Sequence, residues 1–120
     1  MSVAATAHGA NGAVLYGYHR DSDALAAGRF PIYSLGGFGQ DQNVRGRVLD
    51  YRTTIEVGLV TVRPGDLVVA DSDGVLIVPQ DSETQTVTEA VAKVSVETDV
   101  REALRSGMSV RKAFERFGAM

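Results

Sequence analysis

The sequence contains no cysteine in its 120 residues. This absence excludes disulfide frameworks, thiolate nucleophiles and cysteine-based zinc sites, so a metal would have to be bound through oxygen or imidazole ligands. The chain also lacks an excess of basic residues, because 12 Lys and Arg stand against 15 Asp and Glu, for a formal net charge of -3. Proteins that bind nucleic acid normally present a basic face, so we expect no nucleic-acid partner.

Long apolar runs are missing as well. No segment approaches the ~18 consecutive apolar residues that cross a bilayer, and the first residues lack the basic start and apolar run of a secretory signal. We therefore expect no membrane partner and a cytoplasmic location. Since 44% of the residues are apolar and 22% are charged, the composition is average for a globular protein and predicts one domain, residues 1–120.

Proline is scarce, with 3 residues against 13 glycines, and both types mark the predicted turns. Between these turns, short runs of apolar, β-branched and aromatic residues predict strands at residues 13–16, 30–35, 47–51, 56–62, 67–70 and 75–78. The turn at residues 71–74 joins the last two strands into a hairpin. A short helix is predicted at residues 22–27, with Asp21 or Ser22 as its cap and Gly28 at its end.

After Pro79 the apolar period changes to that of a helix. We predict a helix of about 24 residues that begins with a capping box of Ser82 and Gln85 and ends at Gly107. A second helix follows, capped by Ser109 and ended by Gly118. The predicted fold class is mixed α/β, with a β-rich centre followed by C-terminal helices.

The best candidate site lies at residues 17–21, Gly-Tyr-His-Arg-Asp, where a predicted strand ends and a helix begins. Ligands of α/β proteins bind at the carboxyl ends of strands, and helix N-termini attract anions. Arg20 and Asp21 are therefore candidate binding residues, although a helix cap and a surface charge explain the same pair. For His19 an acid–base role is possible in principle, but a contact with backbone or solvent is favoured.

Two glycine-rich segments do not predict binding sites. Residues 36–39, Gly-Gly-Phe-Gly, precede an apparent strand rather than a helix, so the context of a nucleotide-binding loop is missing. Residues 71–74, Asp-Ser-Asp-Gly, lack the spacing of a calcium loop and are better explained as a hairpin turn.

Four segments together resemble the RraA-like family: residues 12–21 (GAVLYGYHRD), 30–33 (FPIY), 62–75 (VRPGDLVVADSDGV) and 107–109 (GMS). This family includes class II 4-hydroxy-4-methyl-2-oxoglutarate/4-carboxy-4-hydroxy-2-oxoadipate aldolases and regulators of ribonuclease activity, and its members are often labelled demethylmenaquinone methyltransferase-like. The resemblance implies a swivelling β/β/α-type domain, with homotrimers or hexamers whose active sites lie at subunit interfaces. It also implies that the chain corresponds to the C-terminal portion of a family member and lacks the N-terminal portion.

The resemblance assigns roles to particular residues. Arg20 corresponds to the arginine that holds the carboxylate or enolate oxygen of a pyruvyl unit, and Asp21 to the aspartate that binds Mg²⁺ or Mn²⁺ largely through water. Glu97 is a candidate for an interfacial acid supplied by a neighbouring subunit, with a solvated helix face as the simpler explanation.

The implied function is that of a divalent-metal-dependent lyase acting on a small 2-oxo acid, by retro-aldol cleavage or oxaloacetate decarboxylation through a pyruvate enolate. The chain departs from the aldolase pattern at Ala24, where the family has an acidic residue. Two alternatives therefore stay open: a non-catalytic RraA-like regulatory or binding protein, and a fragment or split subunit that needs a companion chain.

Overall fold

The computed structural model describes residues 1–118, which form two compact units: Met1–Ile77 and the residues from Val78 onward. The mixed α/β class is confirmed, whereas the assignment of one domain stays a prediction. The elements in chain order are α1 (Ser2–Ala7), β1 (Ala13–Val14), α2 (Ser22–Ala27), β2 (Ile32–Tyr33), β3 (Ile55–Val57), β4 (Val60–Val62), β5 (Leu67–Ala70), β6 (Val75–Val78), a 3₁₀ turn (Gln80–Ser82), α3 (Glu83–Arg105) and α4 (Val110–Phe117).

In the first unit, β1 and β2 pair in parallel and α2 connects them. The pairing extends beyond the assigned strands, since the Leu35 N–H donates to the Gly17 carbonyl and the Phe38 N–H to that of His19. The segments predicted as strands at residues 13–16 and 30–35 are therefore paired, but the strands β1 and β2 within them are only two residues long each. This ladder carries the chain directly to residues 20 and 21.

The ladder changes register once. Val14 is opposite Tyr33, whereas His19 is opposite Gly37, so five steps along the first segment face four along the second. One extra residue is thus accommodated between Val14 and His19, as in a β-bulge. Because a bulge twists a strand and re-aims the side chains that follow it, it sets the direction in which the chain leaves the ladder towards residue 20.

Two hairpins complete the first unit. β5 and β6 pair as predicted, and the Asp71 N–H donates to the Gly74 carbonyl across the turn. The prediction of one strand over residues 56–62 is wrong, because β3 and β4 form an antiparallel hairpin there. Gly58 lies in the turn at φ 63°, a left-handed conformation that glycine adopts without strain.

Two further sequence expectations in this unit need correction. Residues 47–51 are not a strand, because no segment within residues 1–118 pairs with them, and β-propensity without a partner leaves the backbone groups unsatisfied. Residues 2–7, for which the sequence analysis predicted no element, form the short alanine-rich helix α1.

The second unit is helical. The long helix is confirmed as α3, with 23 residues, and Gly107 follows it at φ 93°. The capping box is not formed, since the Ser82 side chain makes no capping hydrogen bond to the described residues and the Gln85 amide donates to Glu89 instead. The cap of α4 is confirmed, because the Lys112 N–H donates to Ser109 Oγ.

Buried side chains are few. In the second unit α3 and α4 are in contact, with Val100 and Ala113 buried, whereas in the first unit Phe30 is buried directly before β2. Phe30 thus anchors the second strand of the ladder through burial of its ring. Within residues 1–118, no helix combines the length and hydropathy needed to cross a membrane.

The start of β1 depends on a glycine. A Cβ at Gly12 would lie 2.9 Å from Pro31 Cγ and 3.0 Å from the Pro31 carbonyl oxygen, whereas a Cβ at Gly17, after the same strand, would have no heavy atom within 4 Å. We expect Gly12→Ala to lower the free energy of unfolding by about 1–3 kcal/mol, because Pro31 or the strand must shift. Gly17→Ala is the matched control and should change it by less than about 0.5 kcal/mol. Urea denaturation measures both, and equal stability of the two variants would contradict the close approach.

Candidate functional site

The candidate site begins where the β1–β2 ladder ends. His19 makes the last bridge of the ladder, Arg20 and Asp21 follow it, and Ser22 begins α2. The predicted strand-to-helix junction is therefore present. It brings a guanidinium and a carboxylate together at the carboxyl end of a parallel strand, a common position for ligand sites in α/β folds.

Asp21 has an unusual backbone. Its φ of 64° and ψ of 38° are left-handed, a conformation that Asp and Asn adopt more readily than other non-glycine residues. It occupies the cap position of α2, but its side chain makes no capping hydrogen bond within residues 1–118. With 69% of the side chain exposed, the Asp21 carboxylate remains accessible to a ligand.

Arg20 contacts two carboxylates. Its Nη1 lies 3.0 Å from Asp41 Oδ2, and its Nε lies 3.7 Å from Asp21 Oδ2. The first distance is that of a charge-assisted hydrogen bond, and the second exceeds hydrogen-bond length. Asp41 was missed by the sequence analysis, in which the loop after β2 had no assigned role.

The Asp41 carboxylate is held in place from both sides. Its Oδ1 accepts a hydrogen bond of 2.9 Å from the Asn43 N–H, which closes an Asx turn, while Oδ2 faces Arg20. The Asn43 N–H and then the Arg20 guanidinium lower the pKa of Asp41 below its ordinary value of 3.8. The pKa of Asp41 is lower in the folded protein than in the unfolded chain. The contact therefore stabilises the fold at pH values above the unfolded-state pKa, and this contribution is lost as the pH falls through the folded-state pKa.

His19 is fixed by two serine hydroxyls. Its Nδ1 is hydrogen-bonded to Ser34 Oγ at 2.7 Å and its Nε2 to Ser22 Oγ at 3.0 Å. The hydrogen-bond partners of His19 are therefore side chains rather than the expected backbone groups, while the ring stays partly exposed. The imidazole links the ends of both ladder segments to the first residue of α2, and it thereby fixes the backbone on either side of Arg20.

Two aromatic rings lie beside this junction. The ring centroids of Tyr18 and Phe38 are 5.7 Å apart and the rings are tilted by 47°, an arrangement favourable for aromatic pairs. Both side chains are more than half exposed, at 62% and 55%. An exposed aromatic pair is thus contributed by residues at the end of the ladder, where Tyr18 precedes His19 and the Phe38 N–H donates to the His19 carbonyl.

The side chains at this junction could hold a divalent cation only if water supplied most of its ligands. Within residues 1–118, no three His, Cys, Asp or Glu side chains are grouped to hold a metal. Mg²⁺, however, keeps several water ligands and often needs only one or two carboxylates, and Asp21 presents an accessible carboxylate without a cap bond. The donor set therefore fits a largely hydrated ion held by Asp21.

Glu97 lies on α3 in the second unit, where its carboxylate is 3.9 Å from Lys93 Nζ one helical turn away. This is the pattern of a solvated helix face, and an interfacial role stays a prediction.

The first unit also contains a cleft of about 470 Å³ at the start of the ladder, lined by residues that include Gly12, Val14, Pro31 and Tyr33. Its lining is mostly apolar and includes neither Arg20 nor Asp21. The candidate site formed by Arg20 and Asp21 is thus on the exposed surface and not in this cleft.

The fold thus defines a mixed α/β chain with an Arg–Asp pair at the carboxyl end of a parallel ladder. Comparison with known proteins identifies the family. The family model for RraA-like proteins, described as Aldolase/RraA, matches residues 1–77, which are also the first compact unit. The chain belongs to the RraA-like family.

Individual relatives agree with this membership. A Halalkalibacterium halodurans protein with the provisional name 4-hydroxy-4-methyl-2-oxoglutarate aldolase is 33% identical over 110 residues, which are 90% of this chain and 51% of that protein. Protein DlpA of Legionella pneumophila is 26% identical over 106 residues, 88% of this chain and 17% of its own length. A solved structure of an uncharacterized protein from Pseudomonas syringae pv. tomato superimposes with a TM-score of 0.90 at 32% identity, over 94% of this chain and 56% of that one. The chain thus spans about half the length of the aldolase relative and of this structural neighbour.

The left-handed residue gives a test of the site. Replacing Asp21 by glycine should raise the free energy of unfolding by about 1 kcal/mol, because glycine adopts this conformation without strain. Asp23→Gly, in the first turn of the same helix, is the matched control and should lower it by about 1 kcal/mol, because glycine has a poor helix propensity and the acidic side chain at the helix N-terminus is lost. Thermal or urea unfolding measures both variants, and destabilisation of similar size at the two positions would refute a strained Asp21.

Proposed function

We propose that this protein is a metal-dependent lyase that cleaves a carbon–carbon bond next to the carbonyl of a small 2-oxo acid. The observation that carries the proposal is the Arg20–Asp21 pair at the end of the parallel ladder, with Asp21 in a left-handed conformation. Membership of the RraA-like family supports a lyase. Retro-aldol cleavage of a 4-hydroxy-2-oxo acid and decarboxylation of oxaloacetate both fit, because each leaves a pyruvate enolate.

Arg20 is proposed to bind the 2-oxo acid. Its planar guanidinium carries donors spaced for the two oxygens of a carboxylate, and it cannot lose its charge near neutral pH. A fixed positive group beside the forming enolate lowers the energy of the transition state more than that of the substrate, because negative charge develops there. The His19 hydrogen bonds on either side of the backbone keep this group in position before substrate arrives.

Asp21 is proposed to hold Mg²⁺ or Mn²⁺ through its accessible carboxylate, with water completing the coordination. When bound, the cation supplies further positive charge to stabilise the enolate, without a Schiff-base lysine or a thiolate. The negative charge of Asp21, whose Oδ2 lies 3.7 Å from Arg20 Nε, would also reduce the charge repulsion between Arg20 and the cation.

The activity is tested by supplying oxaloacetate or a 4-hydroxy-2-oxo diacid with Mg²⁺ and following pyruvate. Arg20→Ala should lower kcat/KM at least about 100-fold, as expected for loss of a group that stabilises developing charge. Addition of a chelator should abolish the signal. Arg45→Ala, which removes an arginine from the exposed loop after the site, is the matched control and should leave the rate unchanged. Metal-dependent pyruvate release that is equal in both variants, or no release above the uncatalysed rate, would refute the proposal.

We further propose that the chain assembles into a homotrimer or hexamer. Apolar side chains at helical spacing on α3, Val87, Val91 and Val94, are exposed, and surfaces of this kind commonly mark protein contacts. Light scattering coupled to size exclusion should give three or six times the monomer mass of 12.8 kDa. Val91→Glu should shift the mass towards the monomer, whereas Thr86→Glu, which adds the same single negative charge at an exposed position of the same helix, serves as the charge-matched control. A monomer at all concentrations would overturn this assembly.

A non-catalytic regulatory or binding role is the second candidate. It is favoured by Ala24, which stands where the aldolase pattern has an acidic residue. Failure of the lyase assay together with stoichiometric binding of a purified protein partner would favour this role. Because the chain spans about half of its aldolase relative, a companion chain that completes the site should also be supplied to the assay before activity is judged.

A further inference from the structure

We propose that Asp41 is a specificity-determining residue that competes with the substrate carboxylate for Arg20. The inference rests on the proposed role of Arg20 as the group that binds the 2-oxo acid. It starts from the contact in which Asp41 Oδ2 lies 3.0 Å from Arg20 Nη1, as an incoming carboxylate oxygen would.

The contact is directed rather than accidental. The second oxygen of the same carboxylate is held by the Asn43 N–H at 2.9 Å, so the Asx turn presents Oδ2 towards Arg20. A side chain already fixed at one oxygen loses less conformational entropy on pairing than a free surface aspartate does. The Asp41 carboxylate is therefore oriented to pair with the Arg20 guanidinium when no ligand is bound.

The position of Asp41 also limits how a ligand approaches. A carboxylate that binds a guanidinium end-on uses both terminal amino groups, and one of them, Nη1, is taken by Asp41. The other edge includes Nε, from which Asp21 is 3.7 Å away, beyond hydrogen-bond length. A 2-oxo acid must consequently displace Asp41 or bind through the Nε edge.

Displacement is feasible because the pair is exposed to water. The Arg20 and Asp41 side chains are 49% and 56% exposed, and ion pairs of such exposure are weak. The competition should therefore weaken ligand binding by a small factor without preventing it. It should be felt most by ligands whose carboxylate binds end-on.

The test is calorimetric titration of the full chain with Mg²⁺ present, using pyruvate and oxalate as probes. Asp41→Asn keeps the Oδ1 acceptor for the Asn43 N–H but removes the negative charge, and it should tighten binding about two- to fivefold. Asp50→Asn is the matched control: Asp50 lies in the same loop, its Oδ1 accepts from the Tyr51 N–H, and the change in net charge is identical. It should leave the affinity unchanged.

The outcomes separate this inference from the proposed function. Binding that is lost in Arg20→Ala but unchanged or weakened in Asp41→Asn would overturn the competition while leaving Arg20 as the anion-binding residue. Equal tightening in Asp41→Asn and Asp50→Asn would also overturn it, since net charge alone would then account for the effect. Absence of binding by the parent chain and by every variant would overturn the proposed function, and the inference with it.

Discussion

The parallel pairing of β1 with β2 is the constraint on which the candidate site depends. It joins segments separated by α2 and continues past the regular strands to His19 and Phe38. Parallel pairing needs a crossover connection, and here the crossover is so short that the end of the first strand and the start of the helix share one junction. Arg20 and Asp21 occupy that junction because no other residues lie between the ladder and α2. Their position at the end of the ladder is thus a property of backbone topology, whereas their proximity follows from their adjacency in sequence.

The junction combines several local departures from ideal geometry. The ladder gains one residue before His19, and Asp21 takes a left-handed conformation directly before the helix. Such departures persist only where neighbouring contacts stabilise them. Here the His19 imidazole, bonded to Ser22 and Ser34, ties the junction together from three sides. Stability and site geometry are therefore coupled, because the hydrogen bonds that stabilise this strained backbone also fix the position of Arg20.

Local signals explain what was predictable from the sequence. The hairpin of β5 and β6, helix α3 and the cap at Ser109 follow from turn residues, apolar period and a capping serine, each of which acts within a few residues. The turn at Gly58 was missed because a single glycine in an apolar run resembles a continuous strand. The strand predicted at residues 47–51 failed for a different reason: strand formation requires a partner, which propensity does not encode.

The residues of the candidate site likewise divide into those that local sequence signals predict and those that depend on tertiary structure. Arg20 and Asp21 were found because they are adjacent at a junction that the strand and helix patterns define. The contact of Asp41 with Arg20 depends on how the loop after β2 folds back, and the Asx turn at Asn43 that directs it gives only a two-residue signal. The serine contacts of His19 likewise need the ladder register, which includes the extra residue. These contacts could not be predicted because the sequence does not reveal the register of the ladder or the path of the loop after β2.

Exposure of the site would link the proposed chemistry to the proposed assembly. Charges in water interact weakly, so Arg20, in its proposed role, would exchange carboxylates easily but stabilise an enolate poorly while solvent surrounds it. Exclusion of water strengthens the same interactions without moving any charge. The exposed Tyr18 and Phe38 rings, at the end of the ladder that leads to Arg20, are apolar groups whose burial against a second protein surface would be favourable. Under the proposed function, binding and catalysis would then have different requirements: the single chain would supply the geometry, and a protein contact would supply the low-dielectric environment that catalysis needs.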